Sequence, residues 1–203
     1  MNQSLLKEAR VLPVVVARDV GSTLALTRSL LAGGMKIIEL TLRTPVALEA
    51  IRAIKAEIPG TCIAAGTVTN PAELAAAIDA GADFHVSPGL TPRLLDAVKE
   101  AGVDILPGVA TPSELMQGME YGLDCFKLFP AVAVGGITML RSIGGPFPNV
   151  KFCPTGGLNP ANFRDFLALD NVICCGGSWM VDDKLIEGGR WDEIERLARE
   201  AMA

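Results

Sequence analysis

The chain has 203 residues, half of them hydrophobic and a fifth charged, which excludes a disordered or fibrous protein and suits one domain spanning 1–203. The net charge is −5 and Lys and Arg form no cluster, which argues against a nucleic-acid surface. No apolar run reaches membrane-spanning length, and the opening MNQSLLKEARVL has neither the apolar core nor the cleavage pattern of an export signal, so the expected setting is the cytoplasm.

Along the chain, short β-branched runs ending in Gly, Thr, Ser or Pro alternate with Ala/Leu/Glu-rich helical stretches. A short helix over residues 3–10 is placed to cover one end of the fold. Strands are predicted at VLPVVVA (11–17), KIIELTL (36–42), CIAAGTV (62–68), DFHVSP (83–88), DILPGV (104–109), CFKLFP (125–130), VKFCPTG (150–156) and NVICCGG (171–177). The helices between them are expected to start at Ser22, Pro45, Pro71, Pro92, Pro112 and Pro160, since proline in a first helical turn sacrifices no hydrogen bond. Glycine in LAGG (31–34), DAGA (79–82) and EAGV (100–103) marks helix ends. Alternating units of about 25 residues imply parallel strands with helical crossovers, and eight of them fit a (β/α)8 TIM barrel better than an open sheet. In that fold chemistry gathers at the C-terminal ends of the strands.

Five cysteines, Cys62, Cys125, Cys153, Cys174 and Cys175, sit mostly in apolar runs and read as small buried hydrophobes in a reducing compartment. With no CxxC pair and His85 as the single histidine, neither a metal site nor a Ser–His–Asp arrangement is expected, and His85 reads as structural.

Two strands break the pattern. In KIIELTLR, Ile38, Leu40 and Leu42 share one face, while Glu39, Thr41 and Arg43 share the other and would climb the barrel interior toward its mouth. A carboxylate and a guanidinium inside a barrel form either a structural pair or an acid/base group below an anion clamp. In DCFKLFP, Lys127 lies between Phe126 and Leu128, whereas the other lysines fall on helices, polar stretches or strand starts. Desolvation favours the neutral amine that a nucleophile requires. Glycine pairs after the seventh and eighth strands, in TGGLNP (155–160) and GGSW (176–179), fall where barrels of this type hold phosphate. Thr67 and Pro88 end the third and fourth strands, Phe129 shares the face of Lys127, and Arg18 follows the first strand, near a phosphate or simply exposed.

These motifs resemble the 2-dehydro-3-deoxy-6-phosphogluconate and 4-hydroxy-2-oxoglutarate aldolases. The resemblance runs through nearly the whole chain, in PVVV (13–16), GGMKIIELTLRTP (33–45), AAGTV (64–68), GADFHVSPG (81–89), PGVATPSE (107–114), FKLFPA (126–131), GPFPNVKFCPTGGLNPAN (145–162) and GGSWMV (176–181). AAGTV departs from the family's common GAGTV by one alanine. The resemblance implies a class I Schiff-base aldolase without cofactor or metal, acting on a small keto-acid phosphate in the Entner–Doudoroff pathway, and a homotrimer. It implies Lys127 as the Schiff-base lysine and Glu39 as general acid/base. It gives the pyruvyl carboxylate to Arg43 and Thr67, substrate orientation to Thr155, and the pocket walls to Pro88 and Phe129. Gly156, Gly157, Gly177 and Ser178 would receive the phosphate.

Thr155 favours the gluconate substrate over its galactonate epimer, whose specific relatives tend to carry an apolar residue there. The 4-hydroxy-2-oxoglutarate reaction stands as a close rival. A metal-dependent pyruvate aldolase would need a ligand cluster that the sequence lacks. A non-catalytic phosphate-binding barrel would keep the glycine turns without needing Lys127 and Glu39, and a phosphosugar isomerase would need no buried lysine in the sixth strand.

Overall fold

The computed structural model describes residues 3–203. A leading helix α1 (Gln3–Ala9) precedes β1 (Val11–Val16), α2 (Val20–Ala32), β2 (Ile37–Thr41), α3 (Ala47–Glu57), β3 (Cys62–Gly66) and α4 (Pro71–Asp79). The alternation continues through β4 (Phe84–Ser87), α5 (Pro92–Ala101), β5 (Ile105–Val109), α6 (Pro112–Glu120), β6 (Cys125–Leu128) and α7 (Gly136–Gly144). It ends with β7 (Lys151–Pro154), α8 (Phe163–Leu167), β8 (Cys175–Gly177), α9 (Asp183–Glu187) and α10 (Trp191–Met202).

All strand pairs are parallel, and the sheet runs β7-β6-β5-β4-β3-β2-β1-β8. Parallel bridges Phe152–Val172 and Thr155–Gly176 draw β7 toward β8. The eight strands therefore form a nearly closed TIM barrel inside its helices, as the alternation predicts. Among the described residues no helix is long and apolar enough to cross a membrane.

Strand alternation divides the apolar residues into two layers. Ile38, Leu40, Ile63, Ala65, Phe126 and Leu128 point outward and pack beneath the helices. Leu12, Ile37, Ala64, Phe84, Val86, Leu106, Cys125, Cys153 and Cys174 fill the lower lumen. Helix α1 adds Leu6 and Ala9 to this inner layer, at 1% and 0% exposure, and so stops the N-terminal end of the barrel. Burying Leu6 alone stabilises by roughly 1.5–3 kcal/mol.

Sequence chemistry sets most helix starts. Asn70, Thr91 and Thr111 cap α4, α5 and α6, each followed by proline in the first turn, and Thr111 forms a capping box with Glu114. Each cap stabilises by about 1 kcal/mol. Helix α5 ends at Gly102 with φ +64°, a left-handed conformation that glycine adopts without a Cβ penalty. Three starts differ from expectation. Helix α2 begins at Val20, not Ser22, because the Asp19 carboxylate accepts the Ser22 N–H at 2.8 Å and is the cap. Pro45 and Pro160 lie in turns, with helices starting at Ala47 and Phe163.

The cysteines behave as expected of buried thiols. All five are free, and only Cys62 is partly exposed. Burial pushes the Cys62 thiol up to about 11 and the Cys125 thiol up to about 12. A hydrogen bond with Cys153, followed by burial, raises the Cys174 thiol well above its ordinary value. Such thiols make poor nucleophiles and metal ligands. His85 is 1% exposed on β4, its Nδ1 lies 3.0 Å from the Asp104 carbonyl oxygen, and its Nε2 has no partner.

Candidate active site

Glu39 belongs to β2 and Lys127 to β6, strands four places apart in the eight-stranded order and so facing each other across the lumen. Each sits on the inner face: Glu39 follows Ile37 by two residues, and Lys127 follows Cys125 by two. Lys127 Nζ donates to Glu39 Oε1 at 3.0 Å and approaches Oε2 at 3.4 Å. The two side chains are 6% and 3% exposed. Moving one proton along this contact converts an ammonium–carboxylate pair into a free amine beside a carboxylic acid. That is the reagent pair needed for attack on a carbonyl followed by proton shuttling. The Lys127 Nζ also lies 5.4 Å from the centre of the Phe129 ring, which forms an apolar wall beside it.

Above this pair opens a cavity of about 380 Å³ at the C-terminal ends of the strands. Its walls include Arg43, Phe129, Thr155, Gly156, Gly157, Gly177 and Ser178, seven of the residues singled out from sequence. Glu39 and Lys127 lie a layer deeper, four residues before Arg43 and two before Phe129. Gly156 and Gly157 have φ +100° and +83°, consecutive positive values that need glycine in a turn whose N–H groups serve anions well. Thr155 is 6% exposed, with its hydroxyl 3.9 Å from Cys153 Sγ.

Thr67, Pro88 and Arg18, also predicted, are not in the wall of this cavity. Thr67 is half-buried with φ +61°, an unusual conformation for a β-branched residue, and its hydroxyl accepts from Arg43 Nε at 3.4 Å. Pro88 is exposed at the end of β4, and its carbonyl packs where a Cβ of Gly108 would stand. Arg18 is exposed and forks onto Asp183, with Nε donating to Oδ1 at 3.1 Å and Nη2 pairing with Oδ2.

Sequence reasoning missed Asp182 and Asp183, both of which line the cavity. The acidic pair DDK directly after GGSWMV was the available signal. Thr41 was placed on the right face but given no task. It is fully buried, and its hydroxyl donates to the Val15 carbonyl at 2.9 Å, tying β2 to β1 next to Glu39. Among the described residues no group of three or more His, Cys, Asp or Glu could hold a metal ion.

Fold and site together define a TIM-barrel enzyme with a buried amine–carboxylate pair beneath an anion-suited mouth. A family model described as "KDPG and KHG aldolase" matches residues 2–197, so the chain belongs to this family of carbon–carbon lyases. The KHG/KDPG aldolase of Escherichia coli K12 is 50% identical over 200 residues, covering 98% of this chain and 94% of that protein. The crystal structure of KDPG aldolase from Legionella pneumophila, with pyruvate captured at low pH as a covalent carbinolamine intermediate, is similar at a TM-score of 0.95 and 43% identity, covering 98% of this chain and 97% of that one. The 2-keto-3-deoxy-6-phosphogluconate aldolase of Zymomonas mobilis ZM4, solved with 3-phosphoglycerate, has a TM-score of 0.93 at 42% identity, with 98% and 94% covered.

Proposed function

We propose that this chain cleaves 2-dehydro-3-deoxy-6-phospho-D-gluconate to pyruvate and D-glyceraldehyde 3-phosphate through a Schiff base on Lys127. The observation that carries this reading is the 3.0 Å contact between Lys127 Nζ and Glu39 inside the lumen of a family aldolase. The carbinolamine trapped in the Legionella relative supports the covalent route.

In this scheme the neutral Lys127 amine attacks the C2 carbonyl, and Glu39 hands protons in and out while the carbinolamine loses water as hydroxide plus a proton. The iminium withdraws electrons from C3. Glu39 then accepts the C4 hydroxyl proton, the C3–C4 bond breaks, and its electron pair passes into an enamine as the aldehyde leaves. Protonation at C3 and addition of water to the iminium free pyruvate and restore the amine. Arg43, with Thr67 beside it, takes the substrate carboxylate, for which a guanidinium fork offers two parallel donors. Thr155 orients the substrate, and Phe129 and Pro88 shape the space around the reacting carbons. Gly156, Gly157, Gly177 and Ser178 receive the phosphate, and Arg18 exchanges Asp183 for it at the rim. We place the chain, as one domain in a homotrimer, in the cytoplasm and in the Entner–Doudoroff pathway, on the strength of the family resemblance.

Borohydride added with pyruvate is expected to fix a stable mass on the peptide that contains Lys127, and Lys127→Ala is expected to take no label and to lose cleavage. Full-rate cleavage by Lys127→Ala would falsify the covalent scheme. Rates on the gluconate substrate, its galactonate epimer and 4-hydroxy-2-oxoglutarate, measured side by side, test the substrate choice.

A further inference from the structure

Gly66 closes β3 on the lumen wall, in register with Thr41 of β2. Its φ lies outside the left-handed region, so the backbone there makes no demand for glycine. Space makes the demand. A Cβ built on Gly66 would stand 2.5 Å from Glu39 Oε1, 2.7 Å from its Cγ and 3.0 Å from its Cδ. These atoms are not the loose end of a surface side chain. They belong to a carboxylate that is 3% exposed and held from the other side by Lys127 Nζ at 3.0 Å. Nor can the wall yield easily. The next residue, Thr67, is held at φ +61° with its hydroxyl against Arg43, and the preceding Ala65 is fully buried in the outer layer.

We propose that Gly66 is a positioning residue for Glu39: its missing side chain is the socket that seats the carboxylate against Lys127 and under the substrate. This rests on the acid/base role proposed above for Glu39. A methyl group at this point displaces the carboxylate by roughly 1 Å, and misplacement on that scale costs about 10²-fold in rate. The socket acts through Glu39 and not through substrate contact, so the loss falls on kcat and leaves KM close to that of the parent.

A double-mutant cycle on the full chain tests this, with cleavage kinetics for Gly66→Ala, Glu39→Ala and the double variant, and circular dichroism as the folding control. Gly66→Ala is expected to lower kcat about 10²-fold in the parent, and to add less than about threefold in the Glu39→Ala background, where no carboxylate is left to displace. An equal loss in both backgrounds, or no loss in the parent, overturns the role of Gly66. If Glu39→Ala alone keeps full activity, the acid/base role of Glu39 fails instead, so the two failures are told apart. Should Gly66→Ala fail to fold, recovery of folding in the double variant still supports the collision with Glu39. Misfolding of the double variant where Glu39→Ala alone folds overturns it.

Discussion

The Lys127–Glu39 pair is expected to be a liability for stability, and its size follows from its burial. Glu39 has no hydrogen-bond partner other than Lys127 among the described residues, and the two side chains are 3% and 6% exposed. Lys127→Met preserves chain length and apolar volume but strands the carboxylate in the lumen. Removing one partner of a buried ion pair costs about 3–5 kcal/mol. For a chain of this size each kcal/mol moves the melting temperature by about 2–4 °C, so a drop of roughly 6–20 °C is expected. Lys127→Met/Glu39→Leu removes both charges and fills the space with apolar groups. Replacing a whole buried pair in this way is often neutral or stabilising by about 1–4 kcal/mol, so the double variant should melt close to or above the parent. Both variants should be inactive. Thermal melts by circular dichroism, with urea titrations as a check, read the effect. A Lys127→Met protein that melts with the parent would mean that the carboxylate reaches water and that the pair is not desolvated.

Further outcomes follow from the rim and from the outer layer. Thr67→Gly removes the cost of a left-handed β-branched residue, about 1 kcal/mol, and should raise the melting temperature while lowering activity through loss of the hydroxyl beside Arg43; a fall in both would show that the φ of +61° carries no strain. Arg18→Ala should raise KM for the phosphorylated substrate by about 10–100-fold, the worth of a charge-assisted contact, and leave KM for 4-hydroxy-2-oxoglutarate unchanged; an equal rise for both substrates would reduce Arg18 to an anchor for Asp183. Burial holds the His85 imidazole below its ordinary value of 6.5, so folding favours the neutral ring. The unfolded chain takes up that proton as pH falls below 6.5 while the folded one does not, so this part of the stability is full above 6.5 and is lost as pH drops through the lower, folded-state value. Urea unfolding at about pH 7.5 and about pH 5 should show a smaller difference for His85→Leu than for the parent, and an identical difference would remove His85 from the pH response.

Some of this was legible in the sequence because its cause is local. Pro71, Pro92 and Pro112 announce their helices since a capping side chain stands directly before each. Glu39 and Lys127 were legible because period-two alternation assigns each to the face opposite its apolar neighbours. Pro45 and Pro160 misled, because proline suits a turn as well as a first helical residue. That Glu39 and Lys127 touch was beyond alternation, since the contact depends on the sheet curling until β2 and β6 face each other. The fork between Arg18 and Asp183 joins residues 165 positions apart through the five-residue helix α9, which has no pattern long enough to read. Nothing in AAGTV sets Gly66 apart, and its need for space becomes visible only once the Glu39 side chain stands beside it.

Helix α1 has a consequence for traffic. With Leu6 and Ala9 stoppering the lower end against Leu12 and Ile37, the lumen is, among the described residues, a shaft that opens at the rim. In the proposed function substrate enters and both fragments leave by that opening. In the proposed cycle the pyruvyl fragment is still tethered to Lys127 when the aldehyde forms, so the aldehyde lies nearer the exit and departs first. The water that cuts the tether follows it.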